Sequence, residues 1–243
     1  MKSINLCLLF LTLFTIMSCT TPNTDIEIQT SPIQLDVENY GNYHNEAVLS
    51  VIQSESSKNS IVTIGDLIKL MEDNMKRLHP EEFSSIDYTA INQIFDLNQN
   101  IDDFNYNDKF FNKLVELGTK NGVVPEMVKF ITDAYYNNRI LSKGFSELNL
   151  SSKDTKFSDQ MKIFESFYNA SKELWTNDAT YKYLLKNNFQ TALCDPNSQV
   201  ILADAVVGFF GALLTGPGGV LVGGAASLIV RTAQVEEENG GCI

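Results

Sequence analysis

The chain of 243 residues holds 18 Lys and Arg against 30 Asp and Glu, a formal charge of −12, and is 44% hydrophobic and 10% aromatic. Such a composition belongs to a globular protein able to bury a substantial core, and it excludes nucleic acid as a partner, because phosphate binding needs a basic face. Two histidines in the whole chain leave little room for metal or acid–base chemistry.

Met1 to Ser18 carries one cation, Lys2, then an uncharged run from Leu6 to Met17, and leads into Ile16-Met17-Ser18-Cys19. A run of about a dozen apolar residues has the size of a signal-peptide core and is too short to span a bilayer of roughly 30 Å. The four-residue ending resembles the lipobox of bacterial lipoproteins, in which a small residue precedes a cysteine that is acylated and becomes the new N-terminus. Ser18 and Ile16 fit that pattern, whereas Met17 stands where a small residue is commoner. The resemblance implies lipidation of Cys19, a membrane contact through the anchor and, because Thr20 rather than Asp follows, the outer membrane in the envelope of a Gram-negative bacterium. Three acyl chains, at about 0.8 kcal/mol per buried methylene, hold a protein to a bilayer almost permanently. Removing residues 1–18 takes away Lys2 and no anion, leaving 17 cations and 30 anions over 225 residues, a charge of −13.

Residues 19–42, polar and interrupted by Pro22 and Pro32, read as a lipidated tether, and residues 43–190 as a helical domain. Ala47, Val48, Val51 and Ile52 form the first apolar stripe, which Ser54 to Ser60 breaks. Thr63 and Asp66 can cap a helix whose Ile64, Leu67, Ile68, Met71, Met75 and Leu78 share one face before Pro80 ends it. Helical spacing recurs at Tyr88–Phe95, at Phe110–Leu117 with a stop at Gly118 or Gly122, after Pro125, over Phe157–Trp175 and at Tyr181–Leu185. No stretch beyond the tether reads as strand. The expected class is therefore all-α, with seven to nine helices.

Asp96, Asn98, Asn100 and Asp102 alternate as the oxygen ligands of an EF-hand loop do, but Ile101 replaces the turn glycine and Asn107 the closing Glu. The alternative is a helix connector whose side chains bond their own backbone. No cofactor is implied. His79 suits a helix C-terminus, and His44-Asn45-Glu46 suits a helix start that Asn45 caps; an acid–base site, if there were one, would use His44 with Glu46. Gly144-Phe145-Ser146 lacks the last glycine of a nucleophile elbow.

Residues 191–243 form the most distinctive segment. Between Asp204 and Arg231, residues 205–230 carry no charge, and nine of the chain's 14 glycines lie between Gly208 and Gly241. Gly208, Ala212 and Gly216 fall four apart, as do Gly219, Gly223 and Ser227, so each half presents a small-residue stripe that lets two backbones approach closely. This spacing resembles glycine-zipper segments. Pro217 among Gly216, Gly218 and Gly219 breaks the helix, which predicts a hairpin of two apolar arms followed by an acidic tail. Two functions remain open. The first is a lipid-anchored envelope protein acting by binding to a protein partner rather than by catalysis. The second is a membrane-active, toxin- or bacteriocin-like protein that inserts the hairpin. A folded-back hairpin brings Cys194 and Cys242 to one end, where they can bridge if their α-carbons come within about 7 Å. Non-reduced peptide mapping of protein taken from an oxidising envelope is expected to recover a Cys194–Cys242 peptide pair; two free thiols would contradict the pairing.

Overall fold

The computed structural model describes residues 36–54, 61–137, 155–176 and 197–238. Among them are eight α-helices: α1 (Val37–Gln53), α2 (Ile64–Leu78), α3 (Tyr88–Ile94), α4 (Asp108–Lys120), α5 (Pro125–Asn137), α6 (Thr155–Thr176), α7 (Asn197–Thr215) and α8 (Gly218–Glu238). A 3-10 turn, Ile101–Asp103, lies between α3 and α4, and the described residues contain no strand beyond one isolated bridge between Thr63 and Asn100. The all-α class expected from periodicity is what forms.

Local sequence explains the helix ends. Thr63 Oγ1 accepts from the Asp66 amide at 3.1 Å while the Asp66 carboxylate accepts from the Thr63 amide at 2.9 Å, closing the capping box that starts α2. Those hydrogen bonds from Thr63 hold the Asp66 carboxyl below the usual carboxylate range. Ile64, Leu67, Ile68, Met71 and Met75 of α2 are buried as their spacing requires, but Leu78, expected on the same face, is 51% exposed because the helix ends there and the chain turns away at His79-Pro80. Asp87 and Asn107 cap α3 and α4 by accepting from the amides two and three residues on. After α4, Gly122 takes a φ of 88°, a left-handed conformation that favours glycine.

Helix α1 begins at Val37 rather than near residue 43, so residues 37–42, assigned to the tether on sequence, are its first turns. Gly41 is the reason this end can dock. A side-chain carbon there would meet the Ser166 carbonyl oxygen of α6 at 2.4 Å, and the Gly41 amide donates to Ser166 Oγ at 2.9 Å.

At the centre stands the predicted hairpin. Every residue from Val200 to Ala212 and from Thr215 to Ser227 is buried. Helix α7 packs against α8 and α6 and touches α3, α4 and α5, while α8 packs also on α1 and α2. Over residues 200–230 the arms lack separate apolar and polar faces because protein covers them nearly throughout, with Leu213, Leu214 and Leu228 half-buried. The reversal is made at Gly216, whose φ of 59° is left-handed, with the Gly219 amide donating to the Gly216 carbonyl at 3.0 Å.

The two small-residue stripes face each other. A carbon added at Gly219 would lie 2.2 Å from the Ala212 amide nitrogen, and one at Gly223 would lie 2.9 Å from Gly208 Cα. Both contacts are to backbone, which cannot turn aside as a side chain does. At Gly224, one position on, an added carbon meets Val48 Cγ2 at 3.1 Å and the Met71 methyl at 3.3 Å, both side chains that can yield. Gly219→Ala is therefore expected to destabilise the fold by about 1–3 kcal/mol or more, whereas Gly224→Ala, helped by the better helix propensity of alanine, should cost clearly less. Urea unfolding of the two variants checks this, and equal losses would contradict the facing-backbone arrangement.

Candidate functional site

The pairing of α7 with α8 runs in a regular ladder: Ala212 opposite Gly219, then Gly208 opposite Gly223. One further step of four along each stripe reaches Asp204 and Ser227. Here the ladder changes from glycine to a polar rung. Trp175 Nε1, on α6, donates to Ser227 Oγ at 2.9 Å and to Asp204 Oδ2 at 3.2 Å, and Ser171 Oγ, one turn earlier on α6, donates to the same Asp204 oxygen at 2.5 Å. The other oxygen, Oδ1, faces His44 Nε2 of α1 at 3.3 Å. His44, Ser171, Asp204 and Ser227 are all 0% exposed, so a carboxylate and an imidazole sit in the core of the protein.

The protons on this rung follow from its partners. Asn45 Nδ2 donates to the Ala170 carbonyl at 2.9 Å, which turns Asn45 Oδ1, an acceptor, toward His44 Nδ1 at 3.0 Å. Nδ1 must then carry a proton. Asp204 Oδ2 already receives two donors, Ser171 Oγ and Trp175 Nε1. Between Nε2 and Oδ1 neither atom has another hydrogen-bond partner, and their contact is too long and too poorly aligned to be a good hydrogen bond. Attraction across that gap requires one proton on the pair, most simply as an imidazolium beside a carboxylate. Burial pushes the His44 ring down, but the Asp204 charge beside it and the Asn45 Oδ1 acceptor outweigh it, and the net direction is up.

These residue types resemble those of a hydrolase triad, yet the order is different. A nucleophilic serine is bonded to the histidine, which is in turn oriented by the acid; in this cluster Ser171 donates to the acid, and the histidine touches no hydroxyl that the structure describes. With every member sealed from solvent, the arrangement holds four helices and a proton in place.

Contrary to what its sequence context suggests, His44 does not stand at a helix start. His44 and Asn45 lie in the middle of α1 and do not open it, and Asn45 reaches across to α6 in place of capping its own helix. Nor do His44 and Glu46 meet: two positions apart on a helix, they point to different sides. His44 turns inward to Asp204, whereas Glu46 turns outward to His79 Nε2 at 2.5 Å, with the Tyr43 ring 4.3 Å from the His79 ring and the Tyr43 hydroxyl donating to Glu82 at 3.3 Å. His79 is the C-cap residue of α2, as its place before Pro80 suggests.

The alternating Asp/Asn segment takes the connector role. Asp96 Oδ1 accepts from the Asn98 amide and Asn100 Oδ1 from the Asp102 amide, each at 3.0 Å. The carbonyls of Leu97 and Gln99 accept from the Gly65 and Ile64 amides at 2.9 and 3.0 Å, so this loop completes the open start of α2. No group of three or more His, Cys, Asp or Glu placed to hold a metal ion occurs among the described residues. Cys19, Cys194, Cys242, Gly144–Ser146 and Tyr181–Leu185 lie outside those residues.

On the surface, the start of α1 and the middle of α6 border an open cleft of about 660 Å³. Asp36, Glu38, Glu165 and Glu173 line it against a single ammonium, Lys162, which also bonds Asp159. Burial raises the Glu165 carboxyl above its ordinary range. Sequence reasoning had no access to this cleft, whose two walls are more than a hundred residues apart in the chain. The rung was more accessible, since Asp204 occupies the stripe position four before Gly208 and marks the edge of the charge-free run. No family model, curated protein or solved structure matches the chain.

Proposed function

We propose that the chain is a lipid-anchored protein of the cell envelope of a Gram-negative bacterium, at the outer membrane, and that it acts by binding or interaction. The observation that carries the reading is the uncharged Leu6–Met17 run ending at Ser18-Cys19. Acylated at Cys19, the chain has residues 20–36 before α1 begins, a link that reaches at most about 60 Å when fully extended. Anchoring of this kind gives the helical domain a membrane address without a spanning helix, and among the described residues no helix is long and apolar enough to cross a membrane. Binding is favoured over catalysis by where the reactive residue types go: His44, Ser171 and Asp204 are committed to holding helices together in the core.

A second reading has its own support. An apolar hairpin without a polar face, wrapped by amphipathic helices such as α2 and α4, would meet lipid favourably if the wrapping opened. A membrane-active, toxin- or bacteriocin-like protein needs such an element. Two measurements separate the readings. Metabolic labelling with a fatty acid should mark the full-length protein and not Cys19→Ala, which should leave the membrane fraction. Residues 20–243 should remain soluble and leave dye-loaded liposomes intact. Label retained on Cys19→Ala would sink the anchor, and leakage would favour the inserting hairpin.

A further inference from the structure

We propose that the His44–Asp204 rung is a proton-operated latch on the Gly-rich hairpin: while the pair shares a proton it holds α7 and α8 against α1 and α6, and when that proton leaves the hairpin loosens. The latch is a property of the folded domain and stands apart from the lipid anchor and from either reading of function.

The geometry supplies the reason. With one proton on the pair, Asp204 has Ser171 and Trp175 on one oxygen and the imidazolium on the other. Without it, the Nε2 lone pair points at a buried carboxylate oxygen from 3.3 Å, and moving the remaining proton from Nδ1 to Nε2 would leave Asn45 Oδ1 without its donor and Asp204 without a counter-charge. A buried carboxylate that has lost its counter-charge is strongly destabilising. Groups facing the pair come from the elements around it: Asn45 from α1, Ser171 and Trp175 from α6 and Ser227 from α8; the buried Tyr106 hydroxyl ahead of α4 feels the Asp204 charge, and burial, Tyr135 and that charge keep it protonated. Among the described residues His44 is the cationic partner of Asp204. The rung thus ties four helices through one proton.

The sign follows from the upward direction of the His44 ring. A histidine bound more tightly to its proton in the folded state contributes fully below its unfolded value of about 6.5, and the contribution is lost as pH rises through the folded value. Carboxyls held low, such as Asp66, Glu72 and Glu116, act in the acid range, and the tyrosines held high act in the alkaline range, so neither group moves stability between them.

The chain has one tryptophan, and Trp175 sits in the rung, so its fluorescence reads the latch directly. Between pH 6 and 9 the wild-type thermal midpoint is expected to fall by roughly 2–4 °C while acrylamide quenching of Trp175 rises; in His44→Gln, which keeps the His79–Glu46 contact, the quenching should be flat and the fall in midpoint clearly smaller. Equal slopes in the two proteins overturn the proposal. Should His44→Gln not fold, the ring itself decides in the wild type: NMR should show His44 titrating above about 6.5 with the Trp175 indole N–H moving in step, and a His44 ring neutral throughout pH 6–9 overturns the latch.

Discussion

The fold depends on two helix backbones coming into direct contact along the Gly208/Gly223 and Ala212/Gly219 rungs. Once α7 and α8 lie that close, they form a narrow apolar rod with no polar face, and a rod of that kind is stable in water only when other helices cover it. Each remaining helix can be understood as part of that cover. The amphipathic α2 lays Met71 against Gly224, α4 sets Gly118 beneath the Phe210 ring, and α6 places Phe167 over Gly208. Glycine at each of these points sets the depth to which the neighbour can sink.

Close packing of small apolar residues fixes distance better than register, because a slide by one turn along a four-residue stripe offers a similar surface. The polar rung removes that ambiguity. Asp204 finds its donors only when Ser171, Trp175 and His44 are opposite it, and a shift by one turn would leave a buried carboxylate unpaired. The rung is thereby a positional key for the hairpin, set at the end away from the Gly216 turn. Glu72 makes a similar but peripheral contact on α2, where Lys76, Lys69 and the Tyr88 hydroxyl surround a carboxylate near the surface.

Features encoded within one turn of helix were legible in the sequence. The Thr63/Asp66 cap, the Pro125 start and the Pro217 reversal act between residues a few positions apart, and each formed as read; of the small-residue positions, Gly208 and Ala212 meet Gly223 and Gly219 across the hairpin, whereas Gly216 leaves the helix and makes the turn. Features that depend on distant partners were not. The start of α1 was hidden because Glu38-Asn39-Tyr40-Gly41 shows little apolar period, and Gly41 reads as a breaker until α6 is known to lie against it. His44 looked like part of a helix start for the same reason. Its true partner, Asp204, lies 160 positions away, beyond the reach of any periodicity argument. The alternating Asp/Asn loop was ambiguous on sequence because side chains that bind calcium and side chains that fold back on their own amides share one pattern, and the contacts with Gly65 and Ile64 now give it a structural task.

The central claim is that the hairpin is the buried core of the native protein, and native-state hydrogen exchange tests it most directly. Amides of residues 204–212 and 219–227 should be the slowest in the chain, exchanging only when the whole domain unfolds, with those of α5 and the exposed end of α2 faster. Fast exchange through both arms while α2 and α6 remain protected would mean that the hairpin lies outside the core, and would contradict the account.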